Sequence, residues 1–174
     1  MDRDQSVDTF GTDRLVAERL REEHLGEIRE MHRDPRVMAT LGGLHSNEEI
    51  AHYLRDNLDH WERYGYGMWV FRDRKEGRFV GRAGLRNTRV GGNDEVELAY
   101  ALVAEYWNRG LATEMVGAIL ELAFERLGLT DLVCFTLPSN RASRRVMEKA
   151  GFGYERDVVH AGLPHVLYRI TTKG

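Results

Sequence analysis

Only one cysteine, Cys134, stands among 174 residues. No disulfide can form within the chain, and such a sequence suits a reducing compartment. The cysteine lies in the apolar run Leu132 to Leu137, where a buried, inert thiol is a better reading than a nucleophile. No run approaches the ~20 apolar residues that span a bilayer, so no membrane contact is expected. The net charge of −3 shows no excess of positive charge, so nucleic acid is not an expected partner. Among the seven histidines, no pair has a metal-ligand spacing such as His-Glu-x-x-His, and no metal is expected. There is no internal repeat. The opening residues Met1-Asp2-Arg3-Asp4-Gln5 are polar and lack the apolar core of a signal peptide. Residues 1–11 therefore read as a disordered lead-in to a cytoplasmic protein.

What is present is ordinary globular material, 42% hydrophobic and 30% charged, enough to bury a core. A single domain over 12–174 is the expected organisation. A first strand fits Arg14 to Leu20. Leu25, Ile28 and Met31 recur at helical spacing until Pro35 closes that segment. Ser46 and Glu49 have the form of a capping box opening a helix with Ile50, Tyr53, Leu54, Leu58 and Trp61 on one face. Strands follow at Met68 to Arg72, Phe79 to Leu85 and Glu95 to Val103, with turns at Asp73 to Gly77 and Gly91 to Asp94. A helix runs from Leu111 to Leu127, a doubly buried strand from Asp131 to Thr136, and a helix from Asn140 to Gly151. Two strands, Phe152 to Asp157 and His165 to Thr171, end the chain. The order strand, helix, strand over 95–136 is a crossover that makes its two strands parallel neighbours.

The stretch Trp107 to Glu114 joins a strand to a helix through a short loop with Gly110. Unpaired N–H groups converge at such a helix start, the dipole is positive there, and an anion is favoured. Gly110 and Ala112 let phosphates approach the N–H groups of Arg109, Gly110, Leu111, Ala112 and Thr113. A Walker loop would have lysine where Leu111 stands, and a dinucleotide fold would not be preceded by antiparallel strands. Taken alone, Gly110 simply eases a turn.

The run Tyr100 to Glu114 resembles the acyl-CoA motif of the GNAT superfamily of N-acetyltransferases, in the branch that includes ribosomal-protein N-terminal acetyltransferases. Trp107 holds a place that is usually Gln or Arg in the superfamily and is familiar as Trp in that branch. The block Asn140 to Phe152 resembles the branch's last helix, and Thr12 to Leu15 and Val80 to Leu85 resemble it too. The resemblance covers nearly the whole chain. It implies an α/β (α+β) GNAT fold: a mixed, mostly antiparallel sheet of about seven strands with about four helices and a central parallel pair splayed around acetyl-CoA. It implies that the pyrophosphate of coenzyme A sits on the N–H groups from Asn108 to Thr113. The pantetheine arm should pair with the strand edge at Leu102 and Val103, and Asn140 should bond the arm from the other side.

Direct attack of an amine on a thioester asks for a base, a site for the oxygen's growing charge and an acid for the departing thiolate. Glu97 is the candidate base, acting through a water, with Glu95 one alternation away as its rival. The backbone N–H near Leu102 or Val103 could serve the oxygen. Many family members carry a tyrosine as acid where this chain has Met147. Ser143, one turn earlier on the same face, is the substitute implied by the branch, and Tyr100 is a rival. Arg109, Arg144 and Arg145 are either phosphate ligands or solvated charges. Trp61, Tyr64, Tyr66 and Trp69 cluster where a helix meets a strand and should mostly be core. One or two, with Trp61, Tyr64 and Trp69 as the candidates, would form an acceptor pocket, since aromatic walls desolvate an amine and lower its pKa. His45, His52, His60, His160 and His165 fall in segments that would wall it.

The expected activity is acetyl-CoA-dependent N-acetylation of a primary amine, in a monomer or homodimer. A protein α-amino group, with pKa near ~8, needs less help from a base than a lysine near ~10.4, which favours a protein N-terminus. A small-molecule amine, antibiotic or amino acid is the alternative acceptor, and a non-catalytic acyl-CoA-binding module is the rival from another class.

Overall fold

A computed structural model describes residues 7–172. Its eight strands are hydrogen-bonded in the order β1-β2-β3-β4-β5-β6-β8-β7. They are β1 (Thr9–Gly11), β2 (Leu15–Arg19), β3 (Met68–Asp73), β4 (Phe79–Val90), β5 (Asn93–Leu102), β6 (Asp131–Thr136), β7 (Gly153–His160) and β8 (Leu163–Thr171). The helices are α1 (Leu25–His32), α2 (Pro35–Met38), α3 (Asn47–Tyr64), α4 (Leu111–Glu125) and α5 (Arg141–Ala150). The chain divides into two compact units, Met1–Gly84 with Ala101–Trp107, and Leu85–Tyr100 with Asn108–Gly174.

In the first unit β2 pairs antiparallel with β1 and β3, and β3 with the start of β4. Helices α1, α2 and α3 supply Ile28, Met31, Val37, Met38, Ile50 and Leu54 to a core shared with Leu20, Met68, Val70 and Ala101. The capping box at α3 is formed: Glu49 N–H donates to Ser46 Oγ at 3.1 Å, and Ser46 N–H donates to Glu49 Oε1 at 3.0 Å. Gly65, left-handed at φ 74°, ends the helix. Gly81 and Gly84 lie where strands press together. A Cβ on Gly81 would stand 2.2 Å from the Ala101 carbonyl oxygen, and one on Gly84 would stand 2.2 Å from that of Gly67.

Two expectations change here. The lead-in over 1–11 falls partly outside the described residues, yet Thr9–Gly11 is a strand. Phe10 anchors it, edge-on to Trp69 and Phe71 with centroids 5.3 and 5.7 Å away. Pro35 does not merely close α1. It occupies the first turn of α2, where its missing N–H costs nothing, and the Asp34 side chain caps that helix by accepting from Arg36 N–H.

In the second unit β6 runs between β5 and β8. It is parallel to β5 and antiparallel to β8, as the crossover through α4 requires. Strand β8 pairs with β7 through the turn at Ala161 and Gly162. Val90, Val133, Val158 and Leu167 form a small core there, with Phe135 against it. The expected strands at 152–157 and 165–171 are correct in kind and lengthened toward their shared turn.

Candidate active site

The parallel contact between β5 and β6 is brief. Among the described residues the register contains a single pair, Glu97↔Val133, although β5 continues to Leu102 and β6 to Thr136. The two strands therefore part beyond Glu97, several residues earlier than the expected opening at Leu102 and Val103. Strand alternation sends Glu97 to one face of β5 and Tyr100 to the other.

On the Tyr100 face stands α5. Its N-cap is Asn140, whose Oδ1 accepts from Ser143 N–H at 3.2 Å. That bond sets the first turn and delivers Ser143 to Tyr100: the two hydroxyl oxygens are 2.6 Å apart, and the Tyr100 hydroxyl is also 3.2 Å from the Ser143 carbonyl oxygen. The two rival acids thus form one hydrogen-bonded pair. Burial pushes the Tyr100 phenol well above its ordinary range, reinforced by Cys134 and opposed by the bond from Ser143. The phenol stays protonated at neutral pH, as a proton donor must. The cap takes one lone pair of the Asn140 oxygen, and its amide NH2 remains a donor for a ligand. Met147 is buried at 1% exposure.

On the other face Glu97, 6% exposed, receives one hydrogen bond from Arg86 at 2.9 Å on Oε2. Glu95 is a different case. Arg169 grips both its oxygens at 2.8 and 3.0 Å, and this structural pairing leaves Glu97 as the candidate base. His160 was read in the sequence only as part of an acceptor wall. It stacks on Phe135 at 4.8 Å and feels the charges of Glu97, Arg86 and His165, while burial depresses its pKa. No local sequence signal links His160 to Glu97, because the link depends on the pairing of β7 with β8. Cys134 is buried, and desolvation pushes its thiol far up, with Glu97 adding to the effect. It has none of the properties of an activated nucleophile.

The loop ahead of α4 has the conformation its glycine suggested. Asn108 at φ 60° and Gly110 at φ 76° are both left-handed, and Gly110 is the N-cap with no side-chain hydrogen bond. The first helical bond runs from Glu114 N–H to the Gly110 carbonyl. The N–H groups of Leu111, Ala112 and Thr113 are therefore left without intrahelical partners. Such an uncapped helix start favours an anion such as phosphate. Arg144 is tied to the Tyr168 hydroxyl and the Pro138 carbonyl.

Within the first unit, two expected roles are corrected. The Val103 N–H donates to the Val80 carbonyl at 2.9 Å, and the Val103 carbonyl accepts from Tyr106 N–H. Val103 therefore has no free donor for a ligand or an oxyanion. The Leu102 carbonyl accepts from Trp107 Nε1 at 2.9 Å, which explains the indole at that place and leaves one lone pair. Trp61 and Trp69, at 2% and 0% exposure, are core rather than pocket wall. Their indole N–H groups donate to the Met68 and Val7 carbonyls, and they pack edge to face, 5.1 Å apart. Tyr64 alone of the three reaches solvent, leaning on His60 and Tyr66.

Comparison with known proteins places this geometry. At the level of whole sequences, the chain is 30% identical over 152 residues to the FsC-acetyl coenzyme A-N(2)-transacetylase of Aspergillus fumigatus, covering 82% of this chain and 64% of that one. Its fold superposes on the acetyltransferase of Agrobacterium tumefaciens with a TM-score of 0.84 at 24% identity over 99% of both chains. It superposes on the RimL ribosomal L7/L12 alpha-N-protein acetyltransferase, solved with coenzyme A, with a TM-score of 0.79 at 16% identity over 94% and 97%. The acetyltransferase (GNAT) domain matches residues 14–153, and the chain belongs to that family.

Proposed function

We propose that this N-acetyltransferase moves the acetyl group of acetyl-CoA directly onto the α-amino group of a protein N-terminus. The observation that carries the chemistry is the hydrogen-bonded Tyr100–Ser143 pair on one face of β5, with buried Glu97 on the other, beside the point where β5 and β6 part. Acetyl-CoA, when bound, supplies an activated thioester. The N–H groups of Leu111, Ala112 and Thr113, with Asn108, Arg109 and Gly110 before them, hold its pyrophosphate. The Asn140 amide holds its arm.

Glu97, through a water on the oxygen that Arg86 leaves unbonded, accepts the proton that the amine loses. As the carbon–nitrogen bond forms and the carbon–sulfur bond breaks, the Tyr100 hydroxyl, backed by Ser143, gives its proton to sulfur. The pair regains a proton from solvent. An α-amine already partly neutral at pH 7 asks little of a carboxylate that acts through water, which supports a protein N-terminus. The likeness to the alpha-N-protein acetyltransferase, at 16% identity, carries the fold alone. The fungal relative's name instead points to a small-molecule N(2) acceptor, and this is the second reading.

Steady-state kinetics of Glu97→Gln and Ser143→Ala test the roles. Each should lower kcat while leaving the dissociation constant of coenzyme A within about threefold. Full rates in both variants would overturn the assignment.

A further inference from the structure

The hairpin that joins β7 to β8 turns through Ala161 and Gly162, both left-handed at φ 51° and 75°. It pairs His160 with Leu163 and Val158 with His165. His160 and His165 are thus diagonal neighbours on one sheet face, and their ring centroids are 5.6 Å apart. Phe135 joins them from β6, at 4.8 Å from His160 and 5.8 Å from His165. Phe135 lies two residues beyond Val133, the register partner of Glu97, so strand alternation puts Glu97 on this same face. All four side chains belong to the second unit.

His160 is half-buried, and among the described residues no group hydrogen-bonds its ring, so its nitrogens are open to water. Histidines that serve the fold are bonded instead. His24 accepts from Arg21 N–H on Nδ1 and meets Glu18 through Nε2, and His60 Nδ1 meets the Tyr66 carbonyl. His165 Nδ1 lies 3.0 Å from the Leu163 carbonyl oxygen, where it must carry the proton. The titratable and charged groups that face His160 are Glu97 on β5, Arg86 on β4 and His165 on β8. Burial lowers its pKa most, His165 and Arg86 add to that, and Glu97 alone favours the charged form. At neutral pH His160 is therefore an unprotonated base whose imidazolium has one counter-ion, Glu97.

We infer that His160 is a proton-relaying residue: the proton that Glu97 takes from the amine through a water passes to the imidazole, and from there to solvent. The inference rests on the reading of Glu97 as the base. The O–H bond on Glu97 breaks as an N–H bond forms on the unprotonated ring nitrogen, and the imidazolium then gives its proton to water. The transfer runs toward the stronger base, since the ordinary pKa of an imidazole lies about two units above that of a carboxylate. It returns Glu97 to its anion for the next amine. His160 acts through Glu97, which makes it a positioning residue.

Steady-state kinetics with acetyl-CoA and an acetylated amine test it in two variants. His160→Ala should lower kcat at pH 7 by about tenfold, less than the loss of a general base itself. Free imidazole in the buffer should restore most of that rate and leave the wild type unchanged. In the wild type kcat should fall as pH drops below 6.5, where His160 gains a proton and can accept no other, and this limb should be missing in His160→Gln. A histidine serving only the fold would lose rate with no rescue and no change of pH profile. That result, or full kcat in both variants, overturns the inference. If no amine is acetylated, the acetyl-transfer reading fails, and NMR titration of the His160 ring decides its coupling to Glu97. Glu97→Gln should lower the His160 pKa further, because the carboxylate that favours the imidazolium is gone; an unchanged pKa overturns the coupling.

Discussion

Tyr100 and Ser143 share one hydrogen bond, so their contributions to proton transfer are coupled rather than additive. Tyr100→Phe removes the proton that burial keeps on the phenol and should lower kcat by about a hundredfold, the scale of a lost general acid. Ser143→Ala should cost less, and the double variant little more than Tyr100→Phe; stopped-flow or steady-state rates decide this. His32 gives a pH signature of its own. Its pKa, depressed from 6.5 to about 3, means the unfolded chain binds a proton between those values that the folded chain refuses. Stability is then complete above about pH 6.5 and falls by about 1.4 kcal/mol per pH unit as pH drops toward 3. Urea titrations from pH 7 to pH 4 should show this slope, reduced in His32→Gln. Neither residue's role was visible in the sequence beyond a weak rivalry over the acid. Tyr100 meets Ser143 across 43 positions of chain, and Arg82 meets His32 across 50, distances that no local pattern encodes.

At the scale of elements the sequence was far more legible. The box at Ser46 and Glu49, the glycine stops at Gly65 and Gly151 and the crossover through α4 all follow from local chemistry, and each is present. The failures are also chemical. For Trp61 and Trp69 the sequence leaves core and pocket wall both open, because an indole has no mark that separates the two. Only the carbonyls of Met68 and Val7, brought in by folding, decide it. Val103 failed for the same reason: its N–H is spent on Val80. The start of α4 is where element and function coincide. Gly110→Ala forces a side chain into a left-handed backbone at φ 76°, costing about 1–2 kcal/mol. Chemical denaturation should register that loss, and the dissociation constant of coenzyme A should rise with it, because the N–H groups it aims at phosphate are displaced.

For the whole molecule, the family and the sheet order agree with the reading from motif spacing, and the second of the chain's two units holds the acid pair, Glu97 and the start of α4. Binding to the folded state alone should raise stability by about 2.7 kcal/mol at a hundredfold excess of ligand over its dissociation constant. For a chain of this size that is a melting shift of roughly 5–10 °C, readable by calorimetry with acetyl-CoA. The most direct measurement is a thiol-release assay with acetyl-CoA and a panel of N-terminal peptides, amino acids and polyamines, with mass spectrometry on the amine. The expected result is one released thiol for each N-acetylated amine, strongest on an α-amine and lost in Tyr100→Phe. Thiol release no faster with any amine than without one would contradict the assignment.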